Sequence, residues 1–72
     1  MIRWSNTERS FRRGEFEDRY GKLCSIQKSS LATEDCIWLG RDQMRMHLTQ
    51  ETAAELAKIL IYFAGTGELP IG

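Results

Sequence analysis

The 72-residue sequence holds little that would announce a chemistry. Its one histidine, His47, has no serine, cysteine or carboxylate at a fixed spacing, which leaves no nucleophile–base pair to read. Cys24 and Cys36 stand alone, without a neighbouring Cys or His at metal-ligand spacing, so no metal site is expected. No glycine-rich loop precedes a helix pattern, and the adjacent carboxylates Glu34 and Asp35 would point apart in an extended segment. The expectation is a protein that is not an enzyme and carries no cofactor. No run approaches the roughly 18 apolar residues of a membrane span, and no signal-peptide pattern is visible. A cytoplasmic setting, with both thiols reduced, follows as an expectation. Formal net charge is zero, so no global field draws the chain to nucleic acid or membrane. Repeats, low-complexity tracts and linkers are all missing.

What is present is one strongly periodic stretch, residues 48–63, LTQETAAELAKILIYF. Thr49 is placed to cap a helix beginning at Gln50, and Glu51 puts a carboxylate at the positive end of its dipole. Ala53, Leu56, Ala57, Leu60, Phe63 and Ala64 share one face at helical spacing, with Ile59 widening it. Ile61 falls at the margin, where a partner subunit would cover it. Gly65, Gly67 and Pro70 stop the helix between residues 64 and 67, and Leu69 with Ile71 is expected to fold back as an apolar clasp.

Strand patterns fill the middle of the chain. Alternation begins at Phe16 and continues, past a turn or bulge at Gly21, through residues 23–28, with Cys24 and Ile26 inward. Residues 29–35, SSLATED, form a loop of short polar side chains. Residues 36–40, CIWLG, have the length and apolarity of a central strand. After a tight turn, residues 44–48, MRMHL, alternate cleanly, placing Met44, Met46 and Leu48 against the helix and Arg45 and His47 on the other face. The fold class is therefore α+β: a three-stranded antiparallel meander with one C-terminal helix across it, residues 15–72, preceded by a basic arm, residues 1–14.

That arm carries Arg3, Arg9, Arg12 and Arg13 against Glu8 alone, a local excess of +3 balanced by −3 over the remainder. Interleaved with Trp4 and Phe11, these arginines form a candidate nucleic-acid surface, cations for phosphate and rings for bases. The competing reading has Trp4 and Phe11 packed on the domain, since an exposed tryptophan is costly for a soluble monomer. Within the sheet, a register with Trp38 outward gathers it with Gln27, Arg45 and His47. Such a cluster suits either a flat nucleotide-like ligand or the interface of a homodimer. A chain this short buries only roughly 60% of its unfolded surface, which makes self-association the default expectation.

The segments IQKSSLATEDCIWLG, RMHLTQETAAELAKIL and F-A-G-T-G-E-L, with the GEF-x-DRYG entry before them, resemble a group of short accessory proteins encoded in bacteriophage and prophage genomes. The resemblance spans roughly residues 14–69. Members of that group carry a longer connection before the position of Arg45. The resemblance implies a role in the bacterial host cytoplasm by stoichiometric binding, of a host protein or a small nucleotide-like signal, against host defence.

Overall fold

The computed structural model describes residues 1–41 and 45–70. Four strands, β1 (Arg3–Asn6), β2 (Arg12–Glu17), β3 (Leu23–Lys28) and β4 (Ile37–Gly40), form one antiparallel sheet in sequential order, and a helix, α1 (Gln50–Thr66), packs on it. The α+β class stands, with one strand more than the sequence pattern suggested.

The additional strand comes from the expected arm. Ile2 and Trp4 alternate with Arg3 and Ser5, a period of two too short to register alone, and β1 pairs with β2 in the register Trp4↔Gly14 and Ser5↔Arg13. Residues 1–14 thus belong to the sheet. Gly14, read as the arm's end, is central to it: a Cβ there would lie 2.7 Å from Ile2 Cγ2 and 3.0 Å from Trp4 Cζ3. Only glycine lets β1 approach β2 with those two side chains folded over it.

Two hairpin loops of the same design follow. In the first, Thr7 N–H donates to Phe11 C=O (2.8 Å), Ser10 N–H donates to Thr7 C=O (2.8 Å), and Ser10 is left-handed at φ 64°. The second repeats this with Asp18, Lys22 and Gly21, the last at φ 77°. Both have the three-residue loop that ends in a left-handed residue. The alternation expected to run on from Phe16 is therefore cut at Glu17, and Tyr20 sits in the turn.

Alternation fixes the two faces of the sheet. Trp4, Gly14, Phe16, Cys24, Ile26, Ile37 and Leu39 face α1, whereas Arg13, Glu15, Ser25, Gln27 and Trp38 face away. Phe16, Cys24 and Ile26 are fully buried against Leu56 and Ile59 of α1 and Leu69 beyond it, and Ile2 closes the cluster. Full burial of Phe16 or Ile26 is worth roughly 2–3 kcal/mol each.

The helix begins and ends as its signals require. Thr49 Oγ1 accepts from Thr52 N–H (3.2 Å), and Gly67, at φ 74°, donates its N–H to Phe63 C=O (2.7 Å). Its buried line differs from the expected one. Leu56, Ile59 and half-buried Phe63 face the sheet, while Ala53, Ala57 and Ala64 are exposed and Leu60 is 38% exposed. Rotating the helix this way brings its branched and aromatic side chains onto the core and leaves alanine, with less area to bury, outside. Leu69 does fold back into the core; Ile71 lies outside the described residues.

The expected third strand is not one. Residues 45–48 make no strand pairing, although Met46 and Leu48 do pack on the core and Arg45 and His47 are exposed. Met44, with Asp42 and Gln43 of the expected tight turn, lies outside the described residues. The alternation reflects a segment held by one backbone hydrogen bond, from Arg19, and by a side chain, instead of a ladder. Asp18 supplies that side chain.

Candidate functional site

Asp18 is the only buried charged residue among those described. Its Oδ1 accepts from Tyr20 N–H (2.9 Å) and Lys22 N–H (3.0 Å), its Oδ2 accepts from His47 N–H (3.3 Å), and Arg41 Nη1 stands 3.5 Å away. Arg19 N–H completes the junction by donating to His47 C=O (2.7 Å). Burial pushes the carboxyl pKa up, but three backbone donors and the Arg41 guanidinium outweigh it, and the net direction is down. Its contacts tie the β2–β3 turn to the 45–48 segment and to Arg41 at the end of β4, an architectural role.

This junction explains why the expected four-residue cluster divides. Gln27 and Trp38 are direct cross-strand partners on the outer face, as the sequence reading had them. Arg45 and His47 are not beside them. They sit with Tyr20 at the β2–β3 turn, the His47 ring 4.8 Å from the Tyr20 ring at 59°, around a hollow of ≈ 390 Å³. His47 meets Asp18 through its backbone, not its imidazole, so the two form no acid–base dyad.

On the outer face, the third member of the Gln27–Trp38 row is Arg13, in the register Arg13↔Gln27↔Trp38. Arg13 Nη1 donates to Gln27 Oε1 (2.8 Å) and its Nε to Glu15 Oε2 (3.2 Å). The guanidinium is thereby tethered at two points, and the carboxamide of Gln27 is turned with its oxygen toward Arg13, leaving its NH2 as a donor. Trp38 is 69% exposed. It borders two open hollows, one of ≈ 400 Å³ with Arg13, Ser25 and Gly40, the other of ≈ 340 Å³ with Thr7, Arg9 and Phe11; Gln27 lines both. The sequence pattern assigns Arg13 to the arm. Carrying the alternation back from Phe16 through Gly14 puts Arg13 and Glu15 outward, and that signal was available.

The expected nucleic-acid set is dispersed. Arg3 forms a two-pronged ion pair with Glu17, one contact at 3.0 Å, and Arg12 lies 5.3 Å over the Trp4 ring while its Nε donates to Pro70 C=O (3.3 Å). Trp4 is half-buried on the core side, and Arg9 and Phe11 belong to the β1–β2 loop. Carboxylates just beyond residue 14 thus neutralise much of the local positive charge.

Elsewhere, Lys28 Nζ sits between Asp35 Oδ1 (3.2 Å) and Glu68 Oε2 (3.3 Å), tying the start of β4 to the end of α1. Those contacts, Asp35 first, raise its pKa. Burial likewise pushes both thiols up, Cys24 within the core and half-buried Cys36 beside Glu34, which moves them away from the nucleophilic thiolate. Among the described residues no three metal-binding side chains converge, and no helix is long and apolar enough to cross a membrane. No family model, curated protein or solved structure matches the chain.

Proposed function

We propose that the protein works by stoichiometric binding of a protein partner through the outer sheet face centred on Trp38. The observation that carries this reading is a largely exposed tryptophan set in one cross-strand row with a hydrogen-bonded arginine and glutamine. Aromatic and arginine anchors of this kind dominate protein interfaces. A small ligand needs a concave site that encloses most of its surface, whereas the hollows flanking Trp38 are open, and a ring stacked there would be gripped on one side. Supported by the resemblance of residues 14–69, the setting we assign is that of a phage-type accessory protein acting on a component of host defence in the bacterial cytoplasm.

Capture from host lysate, followed by titration of the captured protein, tests this. Binding is expected to saturate at a fixed ratio and to weaken roughly fivefold or more, about 1 kcal/mol, in Arg13→Ala and Gln27→Ala. Equal binding by wild type and both variants, with loss in Arg45→Ala and His47→Ala, would move the site to the Tyr20 side. Steady turnover of a substrate would contradict the reading altogether.

A further inference from the structure

The sheet has two edges, and β4 is one of them. Which backbone groups it leaves open follows from the ladder. Ser29 N–H donates to Cys36 C=O (2.9 Å), and hydrogen-bonded pairs recur at every second position of an antiparallel ladder. With the register Gln27↔Trp38 and Ser25↔Gly40, those two pairs are hydrogen-bonded, and the N–H and C=O of Trp38 turn inward to β3. The N–H and C=O of Ile37 and Leu39 therefore point off the open edge.

Natural sheets protect such an edge with charge, proline or a bulge. Strand β4, Ile-Trp-Leu-Gly, has no charge and no proline. Trp38 is 69% exposed on one face and Leu39 38% on the other, so both sides of the edge are apolar and open.

We propose that β4 pairs antiparallel with β4 of a second copy, joining two four-stranded sheets into one about a two-fold axis at Trp38. The open groups lie symmetrically about that residue. Ile37 of each copy meets Leu39 of the other, and the two exchange both of their hydrogen bonds. Trp38 meets its own equivalent in the closer, non-hydrogen-bonded kind of pair, and the two indoles lie together on the outer face. The same register sets Cys36 opposite Gly40, so no charged side chain of β4 itself meets another across the seam. A strand without charge avoids self-repulsion across the axis. The row Arg13, Gln27, Trp38 then continues into its two-fold image, doubling the outer face. This pairing does not rest on the binding role proposed above, and each can fail alone.

Sedimentation of the purified chain without any partner tests the pairing first. The expected mass at high concentration is twice 8.3 kDa, falling to 8.3 kDa in Trp38→Lys, which sets like charges on the axis while leaving the core untouched. Circular dichroism of the dilute variant confirms that it is folded. Cross-linking then fixes the register. In a Cys36→Ser background, Trp38→Cys is expected to form a disulfide-linked dimer on mild oxidation, because the Cα separation of about 4.5 Å in such a pair lies within disulfide range. Ser5→Cys, on the outer face of β1, is expected to form no cross-linked dimer. A wild-type chain of 8.3 kDa at every concentration overturns the proposal, as does a dimer that persists in Trp38→Lys or links through position 5 and not 38.

Discussion

The two edges of this sheet are built from similar lengths of chain and opposite materials. Strand β1, Arg-Trp-Ser-Asn, turns its tryptophan inward, where Arg12 covers it, and presents Arg3 locked to Glu17 on the outside. Strand β4 turns its tryptophan outward and presents nothing charged. One edge is covered and ion-paired within the chain, and the other is left apolar and uncharged. A small domain gains from burial beyond its own core, and the contrast is the ground for proposing β4 as the place where a second copy supplies it.

The largest expected effect breaks the covered edge. Gly14→Ala drives a methyl into Ile2 and Trp4 and is expected to cost about 2 kcal/mol by overpacking, measured by urea denaturation. Next come the two tryptophans. Trp4→Ala removes a half-buried ring packed on the core and is expected to cost about 2 kcal/mol, less than the full penalty of a buried aromatic. Trp38→Ala, measured in dilute solution where copies stay apart, is expected to change stability by no more than about 0.5 kcal/mol. Equal costs for the two would erase the distinction between the edges.

Acid sharpens the comparison at a different point. The pKa of Asp18 is lowered in the folded chain, so its contribution is fully present above the unfolded carboxyl value of about 4 and is lost as pH falls through the folded value. Protonation releases the amides of Tyr20, Lys22 and His47 and the ion pair to Arg41, which follows β4 directly. Stability is expected to fall below about pH 4, and those three amides to lose exchange protection before the β1–β2 ladder does. Asp18→Asn is expected to remove much of that acid dependence. At the β1 edge, Arg3 also holds the Glu17 carboxyl low, but the pair is exposed and screened by salt. Arg3→Ala is accordingly the smallest effect, with no measurable shift in melting at moderate salt.

The parts legible in the sequence were those with local signals. Thr49 and Gly67 mark the helix by their own side-chain and backbone chemistry, and the inward pair Cys24 and Ile26 follows from simple alternation. Trp38 beside Gln27 was legible once a face was chosen for β4. Strand β1 was hidden because its alternation lasts only from Ile2 to Ser5 and because arginines clustered in sequence read as a free arm. The carboxylate partner of Arg3, Glu17, lies one strand away in space, and that of Arg13, Glu15, lies just past the expected arm on the same strand. The 45–48 segment misled for the converse reason. Its alternation is real, yet it is held by the Asp18 carboxylate and a single backbone bond from Arg19, and nothing in a periodic pattern reveals a ladder replaced in that way.

The most direct test of the contrast between the edges is amide hydrogen exchange as a function of protein concentration. The outward amides of β4 belong to Ile37 and Leu39; those of β1 belong to Trp4 and Asn6, because Thr7 N–H donates to Phe11 and the ladder alternates from there. Protection at Ile37 and Leu39 is expected to rise with concentration while Trp4 and Asn6 exchange rapidly throughout. Four amides that behave alike at every concentration would contradict the account.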